Sequence, residues 1–339
     1  MLNWKSYLNS ETLDWLLEHD NPSIRYFTLI DLLDQDLNDS KVKEAKLKIM
    51  SEGIVSKMLI NLKESGYWET REDFYIKTKY KGTVWSFIIF AELGADAEDK
   101  KIKNVCEFIL ENAQDLSSGG FAYYSAKSGG GDRNKILPCL TGNMLWGLIR
   151  FGYFEDPRVQ QGIKWIVKYQ RFDDGVEKSA TGWPYNIGSK KGAGCWGTHT
   201  CHMGVVKNLK ALAEIPEVKR SKDVKNTIQQ ASEYVLKHHI YKKSHDLNQV
   251  AKAEWTQSGF PLMWKINYLE VLSILTKLRY KDNRMQDAID LLSSKKNQNG
   301  RWLLEKTFNG RVQVNIEQKG KESKWITLNA LKVLKQYYS

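Results

Sequence analysis

The densest group of reactive side chains lies in residues 195–202, which read Cys-Trp-Gly-Thr-His-Thr-Cys-His. This stretch holds Cys195, His199, Cys201 and His202, two of the four cysteines and two of the six histidines of the chain. Thiolate and imidazole are the usual ligands of Zn²⁺. Buried cysteines and core histidines are the simpler explanation. Four such residues within eight positions nevertheless favour a site for metal binding or thiol chemistry.

Two kinds of zinc site are open to these residues. Cys139, Cys195 and Cys201 with His202 would form a closed tetrahedral shell, typical of a structural site. With only three of them bound, the open fourth position would make the metal a Lewis acid or an activator of a thiol. His199 could replace His202 as a ligand or act as an acid or base beside the metal.

A second polar cluster lies in residues 238–246, which read His-His-Ile-Tyr-Lys-Lys-Ser-His-Asp. His239, Tyr241 and His245 could donate protons, or bind a diphosphate together with the neighbouring lysines. Polar loop packing and the cap of a helix C-terminus are the alternatives. The residues alone do not decide between these roles.

The composition indicates a folded chain with a sizeable core, since 339 residues include 12 Trp and only 6 Pro. No apolar run approaches the roughly 18 to 20 residues needed to span a bilayer, and the start lacks a leader pattern. We expect a cytoplasmic protein with reduced thiols. The net charge of +11 is spread along the chain. It indicates solvated helix faces rather than nucleic-acid binding, and it leaves open a peripheral membrane or protein partner.

A two-helix unit recurs along the chain. Helices are predicted to start near residues 22, 83, 141, 198, 261 and 324, a spacing of about 57 to 63 residues, and all but the last are followed by a second helix. The short helix before Asp20 could supply the missing partner. The pattern predicts an all-α fold, a closed (α/α)6 barrel formed by residues 1–339 as one domain, with residues 1–20 closing the ring. An open array is the alternative.

The links between units are unequal. The turn from a first to a second helix is short, whereas the link to the next first helix runs about 16 to 28 residues, longer than an ordinary loop. All the long links would emerge on one face of the barrel. Cys139 and the residues 195–202 fall in these links or at the helix starts after them. The predicted zinc site therefore lies at the long-loop face.

The unit endings carry a family resemblance. Gln114 through Gly119-Gly120-Phe121, and Gln298-Asn299-Gly300-Arg301-Trp302, resemble the repeats shared by squalene-hopene cyclases and the β subunits of protein prenyltransferases. The resemblance implies an α/α toroid whose deep central cavity is lined by aromatic residues. The lining candidates on the first helices are Trp85, Trp146, Trp264, Tyr268 and Trp325. Packing of helix on helix is the alternative role for these side chains.

The resemblance is weaker for the reaction. Class II terpene cyclases protonate their substrate with an Asp of a D-x-D-D motif, and the nearest match is Arg171-Phe172-Asp173-Asp174, where Arg171 replaces the first Asp. Capping of a repeat-ending turn is the simpler role for Asp173 and Asp174. Protein prenyltransferases hold zinc with an Asp-x-Cys pair and a distant His, and this sequence has no Asp-x-Cys. Lanthionine cyclases bind zinc through one Cys and a later Cys-His pair, which resembles Cys139 with Cys201-His202.

Together these patterns predict a prenyltransferase-like or terpene-cyclase-like enzyme that acts on an isoprenoid or other hydrophobic small molecule, with zinc at the long-loop face. Two alternatives remain. One is a non-catalytic binding scaffold with structural zinc, and the other is a lanthionine-cyclase-like zinc enzyme that activates thiols.

Overall fold

The computed structural model describes residues 4–174, 182–187, 195–197 and 200–339. Within them the chain is all-α apart from a short hairpin of β1 (Lys242–Lys243) and β2 (Asp246–Val250). The helices are α1 (Ser10–Leu16), α2 (Pro22–Phe27), α3 (Ser40–Ser51), α4 (Gly53–Leu59), α5 (Thr83–Leu93), α6 (Lys100–Asn112), α7 (Pro138–Arg150), α8 (Pro157–Tyr169), α9 (His202–Glu214), α10 (Lys222–Lys237), α11 (Tyr268–Lys277), α12 (Gln286–Ser294) and α13 (Lys324–Tyr338).

The helices form two concentric layers. The inner layer follows the order α2, α5, α7, α9, α11 and α13, in which each helix from α5 onward packs against the next and α13 returns to α2. The gap between α2 and α5 is closed by Gly94, where an added Cβ would lie 2.8 Å from the Phe27 ring. The outer helices α3, α6, α8, α10 and α12 each pack against the inner helix that precedes them. The predicted (α/α)6 arrangement is confirmed.

The N-terminal segment packs beside the last helix. The turn Trp4–Tyr7 and α1 both contact α13, and the rings of Tyr7 and Tyr338 stack with their centroids 6.1 Å apart. Thr12 Oγ1 donates a hydrogen bond of 2.8 Å to the carbonyl oxygen of Asn299. The segment therefore occupies the outer position that the repeat leaves open next to α13.

A recurring hydrogen bond explains the Gly-aromatic endings. The backbone N–H of the aromatic residue donates to a Thr hydroxyl in the first turns of the next inner helix, at 2.9 to 3.1 Å. The three pairs are Trp68 with Thr83, Phe121 with Thr141, and Trp302 with Thr327. The Gly two residues before the aromatic residue adopts a left-handed conformation, as at Gly119 with φ of 88°, which a side chain would disfavour. The motif thus fixes the end of one unit against the start of the next.

Composition explains the two layers. Inner helix α5 reads Thr-Val-Trp-Ser-Phe-Ile-Ile-Phe-Ala-Glu-Leu and is buried at every residue except Glu92, as expected of a helix that is apolar all round. The outer helix α6 instead buries one face and exposes lysines on the other. Packing against both neighbours in the ring and an outer helix excludes water from α5, and this apolar burial is the main term that stabilises the barrel.

Three predicted boundaries are wrong. The helix expected to start at Pro261 begins at Tyr268, because Asn267 caps it by accepting a hydrogen bond from the Glu270 N–H at 2.9 Å. The helix expected at Thr141 begins at Pro138, a residue favoured at the first helical position. The helix expected to start near residue 198 begins at His202, with Cys201 as its N-cap residue.

In the described ranges, no helix combines the length and the apolar character needed to cross a membrane.

Candidate functional site

Three of the four cysteines meet at the long-loop face. Cys139 lies in the first turn of α7, Cys201 is the N-cap residue of α9, and Cys195 belongs to the link between α8 and α9. The Cys195 thiol is hydrogen-bonded to both the Cys139 and the Cys201 thiols. Cys139 is only 5% exposed. Three thiols from three segments of the chain therefore form one cluster, which we call the thiol cluster.

Close packing of α7 and α9 brings the cluster together. Gly142 on α7 faces the backbone of α9, where an added Cβ would lie 2.4 Å from the carbonyl carbon of Lys207. Gly204 on α9 similarly faces the ring of Pro138 on α7, and a Cβ added at Gly204 would lie 2.7 Å from the Pro138 Cβ. Glycines on both helices allow the two backbones to approach. The starts of the helices, which carry Cys139 and Cys201, are thereby held side by side.

The surroundings of the cluster are aromatic. The indole N–H of Trp196 donates to the carbonyl oxygen of Ile136 at 3.0 Å and anchors the segment that carries Cys195. Trp165 packs edge-on against Trp196 with centroids 5.9 Å apart. A cavity of about 10 Å³ adjoins Cys195 and Cys201, which is room for about one water molecule.

Two of the thiols, Cys195 and Cys201, are held in their neutral form by these contacts. The hydrogen bond that the Cys195 thiol donates to Cys139, together with burial, raises the pKa of Cys195 to about 12. A hydrogen bond to Cys195 and burial also raise the pKa of Cys201. Ionised thiols at this position would need a cation beside them.

His202, predicted as a zinc ligand, lies apart from the thiol cluster. Its ring packs between α9, α10 and the following link, 4.4 Å from the Trp255 ring and 4.9 Å from that of His238. Burial lowers the pKa of His202 to about 3, so the imidazole is neutral. Its Nε2 is buried and has no hydrogen-bond partner among the described residues. His199 lies outside the described residues.

The described ranges contain no three His, Cys, Asp or Glu side chains that converge closely enough to hold a metal ion. The thiols contact one another in a row, with Cys195 in the middle, rather than around a shared point. Their chemistry fits zinc, because a set of thiolates is a common zinc shell. The zinc set of Cys139, Cys195, Cys201 and His202 stays a prediction.

Asp173 and Asp174 both tie loops together. Asp173 accepts hydrogen bonds from Arg171 Nε at 2.7 Å and from Thr200 Oγ1 at 2.8 Å. Asp174 accepts from His238 Nε2 at 3.1 Å. Burial acts to raise the pKa of each carboxyl. The hydrogen bonds from Arg171 and Thr200 outweigh it at Asp173, and those from Ser244 and Lys237 outweigh it at Asp174, so both pKa values are lowered. The carboxylates are therefore ionised, which suits a structural cap better than the proton donor of a cyclase.

The 238–246 cluster faces outer helix α12 instead of the thiol cluster. His239 Nδ1 lies 2.8 Å from Asp287 Oδ2, and Lys242 Nζ lies 2.6 Å from the same oxygen. The Tyr241 hydroxyl donates to the Asp287 carbonyl oxygen at 3.5 Å. His245 is exposed in the turn of the β-hairpin. These contacts attach the hairpin to α12, and the proposed roles in proton transfer and diphosphate binding stay untested.

Most of the aromatic residues predicted to line a cavity are packed in the core. Trp85 lies against Tyr75 with centroids 4.6 Å apart, and the Tyr268 hydroxyl is hydrogen-bonded to Ser258 at 2.9 Å. Trp264 donates to the Tyr80 hydroxyl at 3.0 Å. These three side chains pack helices and links together, which is the alternative that the sequence leaves open.

A cavity of about 620 Å³ lies at the opposite end of the barrel, where the inner helices end. Trp325 lines it, whereas Trp146 lies behind its wall under Lys210, whose Nζ is 3.8 Å from the ring centroid. The wall includes Arg150 at the end of α7, Glu214 at the end of α9 and Lys277 at the end of α11. Most of its wall residues lie on the inner helices and outside the long links, so the reactive residue types in those links do not reveal this cavity.

A network of buried ion pairs joins the inner helices, and the spacing of residues in the sequence does not predict it. Lys207 Nζ lies 2.7 and 2.8 Å from the two carboxylate oxygens of Glu270. Lys210 Nζ bridges Glu92 at 2.5 Å and Glu270 at 3.2 Å. The sequence does place both lysines on the helix-patterned run that follows the cysteines. A lysine buried between inner helices needs a carboxylate partner, so this placement could have indicated the network.

Comparison with known proteins adds a similarity in architecture. No family model and no curated protein matches the chain. Solved structures of the type II terpene cyclase MstE from Scytonema do match. A variant in complex with its substrate geranylgeranyl dihydroxybenzoate is 12% identical, with 94% of this chain and 87% of that chain covered and a TM-score of 0.41. The apo enzyme gives the same identity and coverage with a TM-score of 0.42.

A further variant of that cyclase, in complex with its product merosterolic acid A, is 14% identical, with 83% of this chain and 94% of that chain covered and a TM-score of 0.30. The assignment of the fold rests on the arrangement of the helices in this chain.

Proposed function

We propose that this chain is a zinc-dependent enzyme of the terpenoid-cyclase and prenyltransferase type, which acts on an isoprenoid or other hydrophobic substrate at the long-loop face. The observation that supports this most is the thiol cluster, in which Cys139, Cys195 and Cys201 come into contact from two helix starts and one link. Cys139 is buried and the other two are partly buried. Three thiols in contact are more than core packing requires, and they are the donor set that zinc prefers.

Cys139, Cys195 and Cys201 would hold the metal, and an inward movement of the link that carries Cys195 would complete the shell. Zinc bound there would supply the positive charge that keeps buried thiols ionised and activates a thiol or polarises a substrate. The helix starts of α7 and α9 add to this, because the positive end of the helix dipole favours thiolates. His199 remains the candidate for a fourth ligand.

A hydrophobic substrate fits the side chains next to the cluster. Tyr75 lies beside Cys139 and Cys195, and burial with these thiols raises the pKa of its hydroxyl. Its ring contacts those of Trp85 and Tyr123, with centroids 4.6 and 5.9 Å apart. This aromatic wall would hold an apolar chain and exclude water from the reacting centre.

A second candidate function is a binding scaffold in which zinc is structural. The tight packing of Trp165 and Trp196 and the cavity of only about 10 Å³ favour it. In that case the metal would tie the link to α7 and α9 and would not meet a substrate. A zinc enzyme that activates thiol substrates, as lanthionine cyclases do, is the remaining alternative.

The test begins with the metal content of purified, tag-free protein, measured for wild type, Cys139→Ala, Cys201→Ala and Cys106→Ala. Cys106 is a buried thiol on α6 outside the cluster, so its variant controls for the loss of a core cysteine. We expect one zinc per chain in wild type and in Cys106→Ala, and none in the other two. Absence of zinc from wild type prepared without chelators contradicts the proposal.

The enzyme and the scaffold are separated by reactivity. The zinc-loaded protein is incubated with geranylgeranyl diphosphate, with and without a thiol peptide, and pyrophosphate release and product mass are followed. The enzyme proposal predicts turnover that is lost in Cys201→Ala and kept in Cys106→Ala. Turnover only with the peptide present would select the thiol-activating alternative. Stoichiometric zinc with no turnover, and a cooperative loss of fold on chelation, would select the scaffold.

A further inference from the structure

The cavity of about 620 Å³ is separate from the thiol cluster. Cys139 and Arg150 lie near opposite ends of α7, about 16 Å apart along the axis at 1.5 Å per residue. The cavity reaches the surface at Lys219 and Pro216, both exposed in the short turn between α9 and α10. Its volume is in the usual range for a small-molecule site.

The cavity wall carries an excess of positive charge. Five of its side chains are cationic, namely Lys46, Arg150, Lys219, Lys277 and Lys332, and three are carboxylates, namely Asp31, Glu92 and Glu214. Each carboxylate is already paired with a cation. Lys332 Nζ lies 2.6 Å from Asp31 Oδ2, Lys210 Nζ 2.5 Å from Glu92 Oε1, and Lys277 Nζ 2.6 Å from Glu214 Oε2. Of the other cations, Lys219 is paired with Glu155 outside the wall, and Arg150 shares Glu214 with Lys277, at 3.6 Å. The excess of positive charge therefore rests on Lys46 and Arg150.

Helix ends explain only part of this excess. Cations are favoured at helix C-termini, which carry partial negative charge. Lys46 meets this need, because its Nζ donates to the carbonyl oxygen of Gly94 at 2.7 Å. Arg150 does not. Its guanidinium makes no hydrogen bond to any described residue, its nearest carboxylate oxygen is on Glu214 at 3.6 Å, and its buried Nε has no acceptor.

A second donor in the same wall also lacks a partner. Trp325 is 2% exposed, and its indole Nε1 finds no acceptor among the described residues. Buried N–H groups are nearly always hydrogen-bonded. Both of these nitrogens are themselves covered. The donors that Arg150 can offer to a ligand are its terminal NH groups, which make no hydrogen bond to a described residue although the side chain is 27% exposed. A negatively charged acceptor would pair with them. Burial lowers the pKa of Lys46, and the nearby charge of Arg150 adds to this effect while Asp96 opposes it.

The rest of the wall is aromatic. Tyr26, Phe27, Phe151 and Phe154 line the cavity together with Trp325. The Arg150 guanidinium lies over the Phe27 ring at 5.9 Å and over the Trp146 ring at 5.4 Å. This stacking holds the plane of the guanidinium in place while leaving its donors unused. A flat or aliphatic body would fit against the rings, with a charged group at Arg150.

We propose that this cavity binds a small organic anion, a carboxylate or a monophosphate on an apolar body, with Arg150 as the anchor of the anionic group. The fork of donors on a guanidinium matches both groups in a bidentate manner. Lys46 and Lys277 would add electrostatic attraction. The site is independent of the thiol cluster and does not require zinc.

The experiment is calorimetric titration of the whole chain with three anions, 2-naphthoate, decanoate and inorganic phosphate, and with the neutral analogue 2-naphthamide. We expect at least one organic anion to bind at micromolar to low millimolar concentration, and more tightly than the amide by about tenfold or more. Tighter binding of phosphate than of both carboxylates would assign a phosphate head group. No binding of any of the three anions at millimolar concentration overturns the proposal.

Variants locate the binding. Arg150→Met should weaken the binding of the organic anion by about tenfold to a hundredfold, and Arg150→Lys should weaken it by less. Lys101→Met removes one positive charge from an exposed position on α6 and serves as the matched control. Thermal unfolding of each variant checks that the fold is kept. Equal affinity of Arg150→Met and Lys101→Met, or equal affinity of 2-naphthoate and 2-naphthamide, would contradict an anion site at Arg150.

Discussion

The substitution Gly142→Ala tests whether close packing of α7 against α9 creates the thiol cluster. The new Cβ would lie 2.4, 2.5 and 2.6 Å from the carbonyl carbon and oxygen of Lys207 and the nitrogen of Asn208. These are backbone atoms, so no side chain can rotate away. Ordinary contact begins near 3.4 Å, and the helices must therefore separate by about 1 Å.

The expected cost follows from two opposing terms. Overpacking of this kind destabilises by about 1 to 3 kcal/mol, while replacing a helical Gly with Ala returns up to about 1 kcal/mol. We expect a net loss of about 1 to 2 kcal/mol, measured as a lower urea midpoint. The separation also moves the start of α7 away from that of α9, and with it Cys139 from Cys201, so zinc binding should weaken together with stability.

The matched control is Gly162→Ala on outer helix α8. Its Cβ would also lie close to another atom, 2.7 Å from a Leu145 methyl group, but that methyl belongs to a side chain that can change rotamer. We expect a smaller loss of stability and unchanged zinc content. If Gly142→Ala kept full stability and full zinc content, or if both variants behaved alike, the helix contact would not be what positions the thiols.

Two other predictions concern buried charge. Lys207→Met leaves Glu270 without its closest partner and should lower the free energy of unfolding, measured in urea, by about 3 to 5 kcal/mol. Adding Glu270→Met should restore much of that loss. A double variant no more stable than Lys207→Met would contradict this. Asp173→Asn removes the acceptor of Arg171 and Thr200 and should cost about 1 to 2 kcal/mol at pH 7. Because the folded pKa of Asp173 is lowered, its contribution is present above the ordinary pKa of about 3.9 and is lost as the pH falls through the folded value. The gap in urea midpoint between the two proteins should therefore begin to narrow below about pH 3.9 and close once the pH is below the folded pKa. A gap that stays constant as the pH is lowered through this range would show that the carboxylate is not responsible.

The architecture could be predicted because it repeats. Each Gly-aromatic ending and each inner helix obeys the same local rules, so an error in one unit did not change the overall pattern. The boundaries failed where one local signal replaced another. Pro261 suggested a helix start, but the cap formed by Asn267 with Glu270 determines it.

The thiol cluster could be predicted only in part. Spacing in the sequence placed Cys195, His199, Cys201 and His202 within eight positions, but neighbours in sequence need not share a site. Cys201 precedes the first turn of α9 and contacts the cluster, whereas the next residue, His202, turns toward α10 and Trp255. A difference of one position at a helix start changes the direction of a side chain by about 100°.

The charged cavity could not be predicted from sequence spacing. Its wall combines residues of all six inner helices with the segment after α2, so its residues come from every part of the chain. Arg150 and Lys277 each look like ordinary basic residues in the last turn of a helix. Only their convergence, and the absence of an acceptor for the Arg150 donors among the described residues, distinguishes them.

Zinc K-edge X-ray absorption of the purified wild-type chain tests the central claim most directly. A metal bound at the thiol cluster predicts three sulfur ligands at about 2.3 Å and one lighter ligand at about 2.0 to 2.1 Å. The number of sulfur ligands should fall to two in Cys195→Ala and stay at three in Cys106→Ala. A shell of nitrogen and oxygen ligands alone, or a spectrum unchanged by Cys195→Ala, would contradict a zinc centre built from these thiols.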